Sequence, residues 1–187
     1  LTYGLVWVVR NRQESVPKLV LLAASLFFYA YWNVSYLPLL ATSIGVNFLL
    51  GHGIVKAGGG KKTSGVYSLG IIFNLLLLVY YKYAHFICSE LFGIHFFDSE
   101  LSDIVLPLAI SFYTFQQITY LADVKATGEA EKSLVNYALY VPFFPQLIAG
   151  PIIHYRSVID YFRAKLSFGA DHLSIGLVLF TIGLFKK

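Results

Sequence analysis

The chain has 187 residues, 57% hydrophobic and only 13% charged, with a formal net charge of +4 and a mean hydropathy of +0.67. Soluble domains carry about twice that share of charge, so the composition points to an all-α polytopic membrane protein. The positive balance is that of cytoplasmic loops and not of a nucleic-acid binder: no RNA or DNA module, Walker loop or GxGxxG is present, and the single Cys88 allows neither an internal disulfide nor a CxxC metal site.

The opening run LTYGLVWVV is too short to span a bilayer. It also lacks the basic region and cleavage site of a signal peptide. No Met occurs anywhere, and the chain closes on a Lys pair behind an apolar run, so it reads as an internal segment cut at both ends. Arg10–Lys18 is a basic loop. Leu19–Asn33 is apolar and ends in Phe27, Phe28, Tyr29, Tyr31 and Trp32, the composition of an interfacial aromatic belt. Leu37–Val55 is the next expected span and carries Asn47 as an interhelical hydrogen-bonding group. Gly51–Gly65 (GHGIVKAGGGKKTSG) reads as a flexible loop, because the strand and the helix-opening GK[ST] of a phosphate-binding loop are missing.

Val66–Tyr83 spans again, with Asn74 at mid-depth and Lys82 placed to snorkel among tyrosines. Ala84–Asp103 mixes His85, Cys88, Glu90, His95, Asp98, Glu100 and Asp103 with four phenylalanines. No metal-ligand spacing emerges, so an interfacial amphipathic stretch is expected. Lys and Arg at 10, 12, 18, 56, 61 and 62 fall on one side of alternating spans, and the acids of 90–103 on the other. The positive-inside rule puts the first group in the cytoplasm. The Ala122–Ser133 loop, with Lys125, Lys132 and three acids, returns to that side. His154–Asp171 is polar, with Arg156, Arg163 and Lys165, and His172–Phe185 is a short apolar stretch.

Two segments depart from plain membrane anchors. Residues 104–124, IVLPLAISFYTFQQITYLADV, hold too many polar groups; 141–153, VPFFPQLIAGPII, hold too many prolines. Lipid offers no hydrogen bonds, so both need shelter from protein or a cavity. At about 100° per residue, Ala109, Phe112, Tyr113, Gln116, Thr119, Tyr120 and Asp123 share one stripe, with Gln117 on its shoulder. Ile110, Ile118 and Leu121 lie mostly elsewhere. Two readings stay open: the glutamines tie helices together, or the stripe lines a cavity. Leu134–Ile153 is long enough to span. Pro142 and Pro145 interrupt it, however, and Gly150 permits a tight turn, so a re-entrant or discontinuous helix is expected.

The blocks LPLAISFYTFQQITYLADV and NYALYVPFFPQLIAGPIIHY, with LVLLAASLFFYAYWN, NLLLLVYYKYAHF and GLFKK in the same order, resemble the membrane-bound O-acyltransferase family, closest to the branch of the alginate O-acetyltransferase membrane subunit. The resemblance covers nearly the whole chain and implies that 1–187 is part of one such membrane domain. It implies an O-acyltransferase that moves acetyl groups onto hydroxyls of an exported, alginate-like polysaccharide from the inner (plasma) membrane. It also implies a catalytic His deep in an apolar segment of the family's more C-terminal half. None of His52, His85, His95, His154 or His172 matches it, so no catalytic residue is assigned within the chain and the expected His lies downstream of Lys187. No cofactor is expected to stay bound. The acyl donor is acetyl-CoA or an acyl carrier. Expected partners are the bilayer, the polysaccharide, and acetyl-transfer proteins outside the membrane. The substrate-tunnel walls expected from this chain are Tyr113, Gln116, Gln117, Tyr120 and Asp123, with Pro145, Gln146, Gly150 and Pro151 shaping a vestibule. Arg156, Arg163 and Lys165 suit an acidic donor or simply the positive-inside rule. A transporter, or a non-catalytic scaffold of an export system, shares the broken helices and intramembrane polar groups.

Overall fold

The computed structural model describes residues 15–83, 106–147, 154–163 and 170–186. Among these the secondary structure is entirely helical. Helix α1 is Ser15–Trp32. Asn33 then caps a single 3-10 turn, Val34–Tyr36, by accepting the Ser35 amide at 2.9 Å, and α2 follows as Leu37–Lys56 with proline in its first turn, where no amide partner is lost. Helix α3 is Gly60–Leu78, continued by a π-helical turn, Val79–Tyr83. Helix α4 is Ile110–Thr127, α5 is Leu134–Tyr140 and α6 is the single turn Phe144–Leu147. Helix α7 is Tyr155–Arg163 and α8 is Ala170–Phe185.

Two stretches, Val34–Lys56 and Gly60–Tyr83, are long and apolar enough to cross a membrane. The connection between them corrects the expected flexible loop Gly51–Gly65. Helix α2 runs on through Gly51 and Gly53 to Lys56, and α3 already begins at Gly60, leaving a turn of three residues. Gly58, Gly59 and Gly60 turn the chain at φ of 68°, 102° and 69°, conformations a side chain resists. The Gly59 amide donates to Thr63 Oγ1 at 2.8 Å, replacing a helix bond that the first turn lacks. The glycines thus make a hairpin between helices, not a tether.

Helices α2, α3 and α4 pack on one another around Leu40, Ile44, Ile54, Leu121 and Val124. Their register follows from cross-contacts. Ser43 meets Gln117 and Gly51 meets Tyr120, so α4 runs parallel to α2; Gly70 meets Leu121 and Tyr67 meets Lys125, so it runs antiparallel to α3. The Ala57–Gly59 turn and the chain leaving α4 at Gly128 therefore share one end of the bundle. Helices α5 and α6 pack against α1, with Phe28 and Phe144 rings 5.9 Å apart, and α7 lies on α4 and α5.

The glue between α2 and α3 is a closed amide pair at mid-helix. Asn47 Nδ2 donates to Asn74 Oδ1 at 3.2 Å, and Asn74 Nδ2 donates to Asn47 Oδ1 at 2.6 Å. Each Nδ2 also donates to a carbonyl one turn back, Ser43 or Gly70. Both side chains are buried, and every polar atom has a partner, as an apolar surround demands.

The Pro-rich stretch 134–153 leaves helix at Val141–Phe143, around Pro142, and resumes for one turn at Phe144–Leu147. Residues 148–153, including Gly150 and Pro151, lie outside the described residues, as do Lys165 and the whole of 84–103. Every side chain of α8 from Leu173 onward is exposed.

Candidate functional site

Helix α4 carries the polar groups that the sequence singles out. It begins at Ile110, later than the apolar run suggests, because Pro107 and a left-handed Ala109 at φ 54° precede it. From there Tyr113, Gln116, Gln117 and Tyr120 all point inward and are at most 1% exposed, while Phe115 points out. Gln117 Nε2 donates to Ser43 Oγ on α2 at 3.1 Å, and that hydroxyl approaches Gln117 Oε1 at 3.4 Å. Gln116 Nε2 donates to the carbonyl of Tyr140 at 3.1 Å. Tyr140 is the last residue of α5, where the helix break leaves carbonyls without an intrahelical donor. The Gln amide supplies one from a neighbouring helix.

Tyr120 is the pivot. Its ring packs on Tyr137 at 4.5 Å and on Tyr155 at 5.1 Å, and its hydroxyl accepts the Glu131 amide at 3.4 Å. It reaches this place across Gly51: a Cβ there would come within 2.6 Å of the Tyr120 hydroxyl and 2.9 Å of its ring.

Asp123 ends the stripe at the rim, its side chain 19% exposed. Here a cleft of about 770 Å³ opens at the end shared by the α2–α3 turn and the α4–α5 loop. His52, Lys56, Asp123, Glu129, Glu131, Lys132, Tyr155 and Arg156 are among its walls. Two contacts hold α7 to this rim: His154 Nδ1 lies 3.0 Å from Asp123 Oδ1, and Arg156 forms an ion pair with Glu129 at 3.0 Å. Both are exposed and contribute little stability, but they fix the helix in place. The firmer tie is Glu131, a carboxylate only 3% exposed. It accepts the Ser133 amide at 2.9 Å, the Asn136 side-chain amide at 3.4 Å and the Tyr155 hydroxyl. A carboxylate with three donors is satisfied where a bare one would be costly.

Of the seven expected tunnel residues that are described, Asp123 alone lines this cleft. Tyr113, Gln116, Gln117 and Tyr120 are packed behind it, between helices. Pro145 is exposed on α6 and Gln146 half-buried; the contact from the α4 stripe to the Pro-rich stretch falls at Tyr140. Ile110 and Leu121, expected away from the stripe, are equally buried, at 2% and 0%. Helix α4 has protein on two sides: Leu121 fills the space over Gly70 of α3 while the stripe faces α1 and α5. Glu131 and Tyr155 are the residues that sequence reasoning missed. Nothing in their local pattern separates them from an ordinary loop acid and a helix-opening aromatic. Among the described residues no three His, Cys, Asp or Glu side chains gather as metal ligands. His52 is exposed at the cleft, its Nδ1 2.9 Å from the Phe48 carbonyl, and His154 is exposed at the rim.

Known proteins resemble this chain over most of its length. It is 39% identical to the peptidoglycan O-acetyltransferase of Helicobacter pylori, over 91% of this chain and 38% of that protein. It is 36% identical to the probable alginate O-acetylase of Azotobacter vinelandii, over 90% of this chain and 35% of the relative. The probable alginate O-acetylase of Pseudomonas aeruginosa is also 36% identical, with 93% and 34% covered. The chain thus spans a little over a third of the length of these relatives. No family model matches it, and no solved structure does.

Proposed function

We propose that this chain is part of a membrane-bound O-acyltransferase of the alginate O-acetylase branch, and that the whole protein transfers acetyl groups to hydroxyls of an exported polysaccharide. The observation that carries this is the 36–39% identity over at least nine-tenths of the chain to proteins named for O-acetylation of peptidoglycan and alginate. Both names put the acyl group on a carbohydrate hydroxyl. The protein crosses the inner membrane several times as a single membrane domain, with the basic end of the bundle in the cytoplasm. The Pro-broken stretch that begins at Leu134 is re-entrant rather than a straight span.

The donor is an acetyl thioester, acetyl-CoA or an acetylated carrier, with no resident cofactor. An acceptor hydroxyl attacks the thioester carbonyl; a C–O ester bond forms, the C–S bond breaks, and the hydroxyl proton passes through a base to the departing thiolate. That base is a His supplied by the part of the relatives' length that this chain does not span. This chain contributes walls. The cleft beside Asp123 has the size of a small-molecule site and opens the donor's way in at the cytoplasmic face, with Lys56 and Lys132 among walls that also carry acids. Tyr113, Gln116, Gln117 and Tyr120 form the wall behind it, and Pro145 and Gln146 shape the vestibule. Partner proteins outside the membrane carry the acetyl group onward to the polymer.

Purified full-length protein in proteoliposomes, given acetyl-labelled CoA or an acetylated carrier on one side and polysaccharide on the other, should place label on the polymer as alkali-labile ester. No ester with either donor, in the presence of extract supplying the outer partners, overturns the reading.

A further inference from the structure

Among the described residues Glu131 is the one charged side chain that is buried. It sits in the loop between α4 and α5, yet it reaches three helices. Its backbone amide donates to the Tyr120 hydroxyl of α4 at 3.4 Å. Its carboxylate accepts the Asn136 side-chain amide, in the first turn of α5, at 3.4 Å and the Ser133 amide at 2.9 Å. It also accepts the Tyr155 hydroxyl at the start of α7. These three partners of the carboxylate all donate, which suits an acceptor-only group better than an amide.

Stability alone does not call for a buried carboxylate, since a well-packed apolar group often serves as well or better. What the carboxylate supplies is a fixed position. Tyr155 packs edge-on against Tyr120 and Tyr140, with ring centroids 5.1 and 5.0 Å apart. Ring packing buries area, and the charge-assisted bond to Glu131 adds a direction that sets how deep the ring sits. The other contacts of α7 with the rim, His154 with Asp123 and Arg156 with Glu129, are exposed and hold little. The placement of α7 matters because its Tyr155, Arg156 and Ile159 are walls of the cleft, as is Glu131 itself. Tyr155 and Ile159 face the bundle and are buried.

We propose that Glu131 is a positioning residue for the donor: through Tyr155 it holds α7 in place as a wall of the cleft, and donor binding depends on that hold. It touches no reacting atom. Its effect falls on how well the cleft is formed before the donor arrives, so it belongs to binding and not to the chemical step. This rests on the reading of the cleft as the donor's way in. The hold of Glu131 on α7 is a separate claim, because it concerns the chain's own geometry whatever the cleft admits.

Two readouts on the full-length protein in proteoliposomes test it. The first is acetyl transfer from acetyl-CoA, and separately from an acetylated carrier, at varied donor concentration. Tyr155→Phe keeps the ring and removes only the hydroxyl, so it tests the bond even if Glu131→Ala folds poorly. Each variant should raise the donor KM by about tenfold, the scale of one hydrogen bond to a charged group, with kcat little changed. Glu131→Gln, which keeps one acceptor oxygen, should recover part of the loss. Asn47→Leu, destabilising but remote from the cleft, should leave the donor KM at the wild-type value. The second readout is the reaction rate of Ile159→Cys with a thiol reagent, in a Cys88→Ser background. Ile159 is 3% exposed, so its cysteine reports α7 lifting from the bundle. Glu131→Ala or Tyr155→Phe should speed that reaction severalfold. An unchanged donor KM, a fall in kcat alone, or a raised KM with unchanged cysteine reactivity overturns the proposal. A wild-type protein that makes no ester with either donor defeats the function reading and the donor half of this one, and the cysteine rate still decides whether Glu131 holds α7.

Discussion

The Asn47–Asn74 pair allows the sharpest calculation. Replacing Asn47 by Leu, a side chain of similar size, removes both side-chain bonds across the α2–α3 interface. Asn74 keeps its bond to the Gly70 carbonyl, but its Oδ1 and one N–H are left buried without partners. Each such orphan costs about 1–3 kcal/mol in soluble proteins, and interhelical bonds in membranes average somewhat less, so the single change should cost about 2 kcal/mol. Asn74→Leu should cost the same by symmetry. The double variant leaves no orphan and loses only two net bonds, so it too should cost about 2 kcal/mol and not the additive ~4. Unfolding of the full-length protein by denaturing detergent in mixed micelles measures all four corners of this cycle. A coupling near 2 kcal/mol supports the closed pair. Additivity within about 0.5 kcal/mol would show that the two amides do not rely on each other, and the argument for the interface would fail.

Gly51→Ala should destabilise the protein by about 1–3 kcal/mol, because its Cβ would strike the rigid Tyr120 ring and not a flexible chain end; Gly45→Ala, which meets nothing, is the control in the same unfolding assay. Gln116→Leu in the full-length protein should lower acetyl transfer more than it lowers membrane expression, compared by product ester and immunoblot; equal losses would make Gln116 merely structural. Single cysteines at Gly58 and Gly128, in a Cys88→Ser background, should react with an impermeant thiol reagent from the same side, and Asn33 from the other; labelling of Gly58 and Asn33 from one side would break the register of the bundle.

How much of this the sequence discloses depends on whether a residue's partner is near in sequence. The shared face of Tyr113, Gln116 and Tyr120 is legible because helical periodicity alone sets it. The burial of Ile110 and Leu121 is not, since α4 is wrapped on two sides and both its faces are inside. Asn47 reads as an interhelical group and Asn74 only as a polar residue at mid-depth; their mutual pairing is set by the tight Ala57–Gly59 turn, which in the sequence resembles a loose loop. The break near Pro142 follows from the missing donors of proline. Its consequence, a Tyr140 carbonyl taken by Gln116, depends on how α5 docks. Glu131 is the clearest loss. A loop acid between an alanine and a lysine signals solvent, and only the approach of Tyr155, 24 positions later, makes it a buried anchor.

The central claim is that the whole protein makes acetyl esters on an exported polysaccharide, and the ester itself is the most direct thing to measure. Polymer is collected from cells with the gene, without it, and with the full-length gene returned, and acetate released by mild alkali is measured per unit of sugar. The account predicts that acetate falls to background on deletion and returns on complementation, with the quantity of polymer unchanged. Acetate per sugar that is the same in all three would contradict it, and loss of the polymer itself would point to export in place of acyl transfer.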